Sequence, residues 1–314
     1  MSLFLGIDTS NYTTSVALCD ENDKVLQKKR LLPVKPGERG LRQSDAVFHH
    51  TKAYPELLDK LFESVNDEKI EAVGVSFAPT TEKGSYMPCF LVGESFASSL
   101  STVLNVPIFK FSHQQGHIVA ALYSADKLDL LNEKFIAFHV SGGTTDAVLC
   151  ENDNGNLKIT PLSSSNDLKA GQAVDRIGVK IGLQFPCGKE LEKLALKSEK
   201  NYKCKIKLFD GDCSLSGLEN KCLKMLENGE SQEDVAKFLF CYIAETLSTM
   251  VSDIFLKYGE LPLVFAGGVM SNTIIKDILK SRYSAFFAEP EFSSDNAAGI
   301  AVLTKINYEN KVGK

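Results

Sequence analysis

FLGIDTSNYTTSVALCDENDKVL (residues 4–26) and FIAFHVSGGTTDAVLCENDNGNL (residues 135–157) are two copies of one pattern, separated by a constant offset of 131 residues. Identical residues recur at equivalent positions, such as Ser10 with Ser141. Each copy has the pattern of a strand, a tight polar turn, a second strand and a turn rich in Asn and Asp. We therefore predict that each half of the chain opens with the same β-hairpin, and that two related lobes face each other across a cleft.

The turns of the two hairpins, SNYTTS and SGGTT, are rich in small polar residues. Such turns can direct several backbone N–H groups and hydroxyls at an anion, and Gly142 and Gly143 allow close approach because they lack a Cβ. One such turn alone is adequately explained as a hairpin turn, but two matched turns favour phosphate binding. Because actin-like ATPases and sugar kinases hold nucleotide phosphates on paired hairpins of this kind, we predict an α/β fold of that class.

The rest of the chain alternates predicted strands and helices. VGVSFAP (73–79) and VPIFKF (106–111) have the pattern of short buried strands, with a helix between them. SQEDVAKFLFCYIAETLSTMVSDIFLKYG (231–259) has an apolar stripe at helical spacing, opens on a capping-box pattern and ends at a glycine. LPLVFAGGVMSN (261–272) predicts a strand, a glycine turn and a helix, an arrangement suited to contact with a nucleotide. The long stripe is interpreted as core rather than as a ligand site.

Composition excludes several classes of protein. The 314 residues are 44% hydrophobic and 24% charged, which is typical of a globular protein. We expect no signal peptide and no membrane span, because no apolar run approaches the required length. The eight cysteines form no C-x-x-C pair, which predicts reduced thiols in a cytoplasmic protein rather than a zinc knuckle. The net charge of −5 argues against a surface that is basic throughout, but it leaves room for local basic patches.

Two of the five histidines lie four residues apart in SHQQGHIVAAL (112–122). On a helix, His113 and His117 would point to one spot and could grip a metal. Alternatively, the pair could simply decorate a helix start. The residues by themselves leave both interpretations open.

Taken together, the motifs resemble the family of threonylcarbamoyl transferases that modify a tRNA adenosine, formerly described as glycoproteases. The resemblance runs from Leu5 to about Leu303 and is weak over 20–60 and 196–230. The matching blocks are LGIDTSNYTTSVAL, VGVSFAPTTEKGSYMPCFLVGESFASSL, FSHQQGHIVAAL, HVSGGTTDAVL, AGQAVDRIGVKIGLQFPCGKELEKLA, SLSGLENK, FAGGVMSN and FSSDNAAGIAVL.

This resemblance implies an actin-like fold with an N-terminal lobe, 1–120 joined by a C-terminal helix at 296–314, and a C-terminal lobe, 121–295. It implies ATP, ADP or threonylcarbamoyl-adenylate as ligand, magnesium with the nucleotide, and one iron or zinc ion. It implies tRNA and homologous or ATPase proteins as partners, and no membrane. The expected metal ligands are His113, His117, His139 and Asp295. The expected polar contacts to the reacting donor are Ser10, Asn11 and Ser141. The expected nucleotide contacts are Gly142, Gly143, Thr144, Gly171, Asp175, Gly188, Gly267, Gly268 and Asn272.

The chain departs from the family pattern near the expected acceptor site. Tyr12 and Thr13 stand where the family has an Asp–Glu pair, and the longer APTTEKGSYMP replaces a Gly-Pro-Gly loop. Three functions therefore stay open at this point. They are transfer to tRNA, carbamoyl transfer to another acceptor, and nucleotide binding by a non-catalytic paralogue.

A basic segment, LQKKRLLPVKPGERGLR (26–42), offers a contact for tRNA phosphates. Its basic residues are Lys28, Lys29, Arg30, Lys35, Arg39 and Arg42. The alternative interpretation is a solvated loop.

Overall fold

The computed structural model describes residues 1–10, 12–33, 41–63, 65, 68–153, 156–293 and 297–313. The chain packs as two compact units. Unit 1 comprises 1–128, 152–157 and 294–314, and unit 2 comprises 129–151 and 158–293. Residues 121–128 and 152–157 belong to unit 1, whereas the limits expected from the sequence place them in the C-terminal lobe. The first of these differences arises because one helix continues past residue 120.

Strands and helices alternate through the described residues. The strands are β1 (Ser2–Asp8), β2 (Thr13–Asp20), β3 (Val25–Leu31), β4 (Lys69–Ala78), β5 (Ile108–Ser112), β6 (Phe135–Val140), β7 (Thr145–Asp153), β8 (Asn156–Ser164), β9 (Leu263–Ala266) and β10 (Ala285–Phe287). The helices are α1 (Gln43–Phe62), α2 (Phe90–Leu104), α3 (His113–Ser124), α4 (Ala170–Lys180), α5 (Gly188–Ala195), α6 (Ser216–Glu227), α7 (Gln232–Tyr258), α8 (Thr273–Lys280) and α9 (Ala298–Val312). Short 3₁₀ segments lie at Leu128–Asn132 and Gly268–Ser271.

Each unit is built on a five-stranded mixed sheet. The strand order is β3-β2-β1-β4-β5 in unit 1 and β10-β9-β6-β7-β8 in unit 2. In both sheets the hairpin predicted from the repeat supplies the antiparallel pair, and a parallel strand lies on the other side of its first strand. The carboxyl ends of neighbouring parallel strands therefore meet at one edge, where α/β proteins place their ligands.

The registers of the two hairpins confirm the repeat. Phe4 pairs with Cys19 in the first hairpin, and Phe135 pairs with Cys150 in the second. Because these pairs are related by the same offset as the sequences, the duplication extends to the hydrogen-bonding pattern. A slip of one residue would have moved every side chain to the opposite face of its sheet.

Helix α7 is the core helix of unit 2, as predicted. The Ser231 hydroxyl caps it by accepting a hydrogen bond from the Asp234 backbone N–H at 3.2 Å, and Gly259 ends it with a φ of 80°. The expectation that no apolar run is long enough for a membrane span was wrong for this helix, since its length and composition would allow it to cross one. However, 67% of its apolar window is buried inside the protein, which is the position of a core helix.

All eight cysteines are free, in agreement with the expectation of reduced thiols. Burial raises the pKa of the Cys19 and Cys222 thiols to about 12 and that of Cys213 to about 11. These thiols are therefore protonated at neutral pH, and they pack as small apolar side chains rather than acting as nucleophiles.

Candidate functional site

The first hairpin brings a buried carboxylate to the start of helix α3. Asp8 ends β1 and is fully buried. One of its oxygens accepts a hydrogen bond from the Ser10 backbone N–H at 2.7 Å, and the other lies 2.6 Å from His113 Nδ1. This contact turns the Nδ1 edge of the His113 ring towards Asp8 and the Nε2 edge away from it. Nε2, on the other edge of the ring, meets His117 instead.

The start of α3 is built to hold His113 and His117 in place. Ser112 and Gln115 cap the helix reciprocally, through bonds of 3.2 Å and 2.7 Å. The Gln115 amide also donates to the Leu157 carbonyl at 2.8 Å. The helix start predicted from the sequence is therefore confirmed. It is held by its own capping bonds and by the bond from Gln115 to Leu157.

The two imidazoles converge, with His113 Nε2 and His117 Nε2 only 2.9 Å apart. His117 is almost fully buried, whereas the His113 side chain keeps 18% of its surface exposed. A ring whose Nδ1 is held by a carboxylate and whose Nε2 meets a second imidazole fits the pattern of a metal-binding histidine with its outer partner. The residues present therefore fit a transition metal bound through Nε2 of both rings.

The remaining predicted ligands stay a prediction. His139 lies on β6 in unit 2, and Asp295 falls outside the described residues. Helix α9 begins at Ala298 with Ala297 as its N-cap. Within the part of the chain that the structure describes, no third His, Cys, Asp or Glu joins His113 and His117 in a group able to hold an ion.

The first turn carries buried polar groups besides Asp8. Ser10 Oγ is buried and has no hydrogen-bond partner among the described residues. The Thr14 hydroxyl lies 2.8 Å from Nδ1 of His50, a fully buried residue of α1. Nε2 of His50 likewise has no partner in the described part of the chain. Burial lowers the pKa of His50 to about 4, so the ring is neutral at pH 7. Asn11, the third predicted residue of this turn, lies outside the described residues.

The second turn is organised by Ser141. Its hydroxyl accepts hydrogen bonds from the Gly143 and Thr144 backbone N–H groups at 3.2 and 3.1 Å and lies 2.8 Å from the Thr144 hydroxyl. A Cβ added at Gly142 or Gly143 would meet no atom within 4 Å. The Ser141 hydroxyl thus holds the turn together, and no described atom occupies the space beside its two glycines.

Two further glycines pack against the end of β6 in unit 2. The Gly171 N–H donates to the Ser141 carbonyl at 3.0 Å, and a Cβ at Gly171 would lie 2.6 Å from Gly142 N. A Cβ at Gly267, which has a φ of 98°, would lie 2.3 Å from the Val140 carbonyl oxygen. The structure therefore brings the predicted Gly171 and Gly267 together with the second hairpin turn, and in both places backbone contact requires glycine.

Asp175, Gly188 and Asn272 line the same region from neighbouring elements of unit 2. Asp175 accepts a hydrogen bond from Cys187 N at 2.9 Å, which places Gly188 at the first turn of α5. Burial raises the pKa of the Asp175 carboxyl above its ordinary value. Asn272 caps α8 by accepting from Ile275 N at 3.0 Å, and within the described ranges its buried amide nitrogen has no hydrogen-bond partner.

A carboxylate ties two of these elements together. Glu192 of α5 accepts from both the backbone N–H and the hydroxyl of Thr273, each at 2.6 Å. Gly268 lies just before this junction, and a Cβ added to it would meet nothing within 4 Å. The predicted nucleotide residues are thus all found in one unit, where open backbone, helix starts and an unpartnered amide could receive phosphate and base.

The family model described as tRNA N6-adenosine threonylcarbamoyltransferase matches residues 34–302, which is most of the chain. This chain belongs to that family. A curated relative of the same name from Kosmotoga olearia is 32% identical, and the match covers 95% of this chain and 91% of the relative. The family resemblance expected from the motifs is confirmed, and the family is one of transferases.

Solved structures confirm the fold class. Full-length HypF in its phosphate- and nucleotide-bound form matches with a TM-score of 0.60 at 14% identity over 98% of this chain. This chain spans about half of HypF, since the match covers 55% of that chain. A ROK family glucokinase from Streptomyces griseus matches with a TM-score of 0.56 at 12% identity, over 96% of this chain and 99% of the glucokinase. The threonylcarbamoyltransferase family member described here thus has the actin-like ATPase and sugar-kinase fold.

Asp8 and His50 are functional candidates that the sequence analysis missed. Asp8 had a detectable signal, because it ends a buried strand and occupies the position in the first copy of the repeat that His139 occupies in the second. His50 had only the HH pair at 49–50 as a hint. Neither partner, His113 or Thr14, could be assigned from sequence spacing.

The basic segment is partly a strand, so the solvated-loop alternative was wrong for its first residues. Lys28, Lys29 and Arg30 belong to β3. Arg30 is paired with Glu56 of α1 at 2.7 Å. Residues 34–40, which include Lys35 and Arg39, lie outside the described residues. A contact with tRNA phosphates along this segment stays a prediction.

Proposed function

We propose that the protein is a cytoplasmic, metal- and nucleotide-dependent enzyme that transfers a threonylcarbamoyl group from its adenylate to a tRNA adenosine next to the anticodon. The observation that carries this proposal is the family match over residues 34–302. In the reaction, the adenosine amine forms a C–N bond with the carbamoyl carbon, the bond from that carbon to the phosphate oxygen breaks, AMP leaves, and the amine loses one proton.

Iron or zinc would be held by His113, His117 and Asp295, with His139 as a fourth ligand, because imidazole and carboxylate are donors that both metals accept. When bound, the metal supplies Lewis acidity that polarises a donor oxygen. Asp8 orients the His113 ring through its contact with Nδ1. The support for this assignment is the convergence of the two Nε2 atoms at 2.9 Å.

The chain's own residues position the donor. We assign the phosphates, with any accompanying magnesium, to the backbone of Gly142, Gly143 and Thr144, where the turn is open and pre-ordered by Ser141. Gly171 and Gly267 permit this arrangement by packing directly on the end of β6. The Gly143 and Thr144 N–H groups donate to Ser141 Oγ, so a phosphate that binds them would take the place of that hydroxyl as acceptor.

The rest of the donor contacts are assigned by position. Asp175 would contact the ribose, Gly188 a phosphate, and Asn272 the base through its unpartnered amide nitrogen. Gly268 would sit beside the nucleotide. Ser10, Asn11 and Ser141 would contact the reacting carbamoyl group.

Tyr12 and Thr13 favour a second candidate function, because they replace the acidic pair expected at the acceptor site. Thr13 is also almost fully buried at the start of β2. The second candidate is carbamoyl transfer to an acceptor other than tRNA, or nucleotide binding without catalysis. Homologous or ATPase partner proteins are compatible with either candidate.

Transfer to tRNA can be tested directly. With ATP, threonine, bicarbonate, the donor-forming enzyme and the family's partner proteins, we expect labelled threonine to enter an ANN-decoding tRNA but not a tRNA of another decoding class. If no label enters either tRNA, the second candidate is favoured. Gain of labelling by the double variant Tyr12→Asp/Thr13→Glu would then show that the missing acidic pair is the cause.

Nucleotide binding should appear as a rise in Tm with ADP or ATP, because a ligand that binds only the native state stabilises it by about 2.7 kcal/mol at a concentration 100 times its Kd. Gly268→Val should abolish this rise, because the added side chain would fill the space beside Gly268, where a Cβ meets no described atom within 4 Å. Asp175→Ala should also abolish it, with some loss of intrinsic stability because Cys187 N loses its acceptor. Thermal scans with and without nucleotide measure both effects, and an equal rise in wild type and Gly268→Val would contradict the assignment.

A further inference from the structure

Residues 202–209, YKCKIKLF, form a segment with two different faces, which we call the lysine strip. Its inward residues, Tyr202, Cys204, Ile206 and Leu208, are half-buried and pack on the core of unit 2. Its outward residues alternate with them and are exposed: Lys203, Lys205 and Lys207. Alternation with a period of two is the property of an extended chain. The strip therefore presents three ammonium groups in a row on one side.

These three lysines differ from their neighbours in forming no ion pair with a carboxylate of the described residues. Lys200 is bound to Asp234 at 2.9 Å and to Glu230 at 3.5 Å, and Lys257 is bound to Asp253 at 2.6 Å. Among the described residues, no carboxylate forms an ion pair with Lys203, Lys205 or Lys207. The lysine strip is thus a local excess of positive charge on a protein whose net charge is −5.

An exposed aromatic ring lies at the C-terminal end of the lysine strip. Phe209 keeps 53% of its surface exposed, and the Lys207 ammonium lies 5.2 Å from the centre of its ring. Phe209 and Asp212 exchange backbone hydrogen bonds at 2.8 and 3.0 Å around a turn with positive φ at Asp210 and Gly211. This Asp-Gly turn holds the ring in a defined place beside the charged row.

We propose that the lysine strip and Phe209 bind the phosphate backbone and one unpaired base of an RNA strand. The inference rests on the proposed function, for which that RNA is the tRNA acceptor. Lys203 and Lys207 are separated by about 13 Å along an extended chain, which is more than a single phosphate can bridge. A row of unpaired lysines therefore fits a polyanion, and a free aromatic face beside it fits a stacked base.

The test measures binding of unmodified tRNA, without catalysis, over a series of salt concentrations. The variant Lys203→Gln/Lys205→Gln/Lys207→Gln should lower the magnitude of the slope of log K against log salt by about 2 to 3, because each lost phosphate contact removes about 0.7 to 0.9. The matched control Lys69→Gln/Lys134→Gln/Lys158→Gln makes the same change in net charge at exposed lysines away from both the strip and the basic segment. It should leave the slope unchanged.

Phe209→Leu isolates the aromatic contribution. It should weaken binding by about fivefold or more without changing the salt slope, since stacking involves no counterion release. Equal slopes for the strip variant and the control would overturn the lysine strip while leaving the proposed function in place. Absence of tRNA binding by the wild type would overturn both. Displacement of tRNA by polyglutamate, or binding to vesicles of anionic lipid as tight as binding to tRNA, would assign the strip to an acidic protein or a membrane and overturn the RNA assignment.

Discussion

Replacing His113 with alanine is expected to remove most of the bound metal and to abolish transferase activity, while the fold survives. His113 and His117 place their Nε2 atoms 2.9 Å apart, so a bound ion would lose one of its two described ligands. The change lies at the part-exposed start of α3, and the capping bonds of Ser112 and Gln115 do not involve it. Metal content of the purified variant and its circular dichroism measure the two parts of this prediction.

Two further variants locate the effect. His49→Ala makes the same substitution on α1, where the ring contacts Phe48, and it should keep both metal and activity. Asp8→Asn keeps the size of the side chain but weakens the hold on His113 Nδ1, and it should lower metal affinity by about 10- to 100-fold. Full metal occupancy in His113→Ala would show that the ion is bound at another site.

Gly299→Ala is expected to cause the largest loss of stability. An added Cβ would lie 1.9 Å from the backbone oxygen of Gly116 and 2.7 Å from the backbone nitrogen of Ala120. Backbone atoms cannot rotate away, so α9 and α3 must separate along their contact. Overpacking of this kind costs about 1–3 kcal/mol, which corresponds to a fall in Tm of about 2–12 °C for a domain of this size. Thermal unfolding measures it.

The same substitution at two other glycines provides the comparison. Gly116→Ala would meet the Cδ1 atom of Ile300 at 2.8 Å, and because this is the end of a side chain, the loss should be smaller. Gly217→Ala lies in α6 with no atom within 4 Å, and it should be neutral or stabilising because alanine favours a helix. A Tm for Gly299→Ala equal to that of the wild type would mean that α3 and α9 are not packed as described.

Much of the fold was predictable because its signals are local. The two hairpins follow from alternating residues and polar turns, and their common register follows from the repeat. Helix α7 follows from one apolar stripe between a serine and a glycine. The start of α3 follows from Ser112. In each case the residues that decide the structure lie close together in the sequence, within one helix or one hairpin.

Part of the candidate site was also predictable, but only as residue types. The sequence indicated glycines at the second hairpin, at the start of α4 and after β9, and the structure gives the reason for two of them. Gly171 and Gly267 touch the backbone at the end of β6, where a Cβ would come within 2.6 and 2.3 Å of main-chain atoms. The pattern of the sequence showed a glycine at each place, and it did not show against which strand each one packs.

The sequence by itself determined the duplicated hairpins, the two-unit α/β organisation, the family and the spacing of His113 and His117. Only the tertiary structure decided that Asp8 holds His113, that His50 meets Thr14, and that three lysines of 202–209 share one exposed face without an ion pair to any described carboxylate. Asp8 and His113 are 105 residues apart in sequence. Strand β4 lies between β1, which ends at Asp8, and β5, which leads into His113. Contacts of this kind depend on the order of parallel strands and on the packing of helices across them, and no local pattern of residues encodes that order.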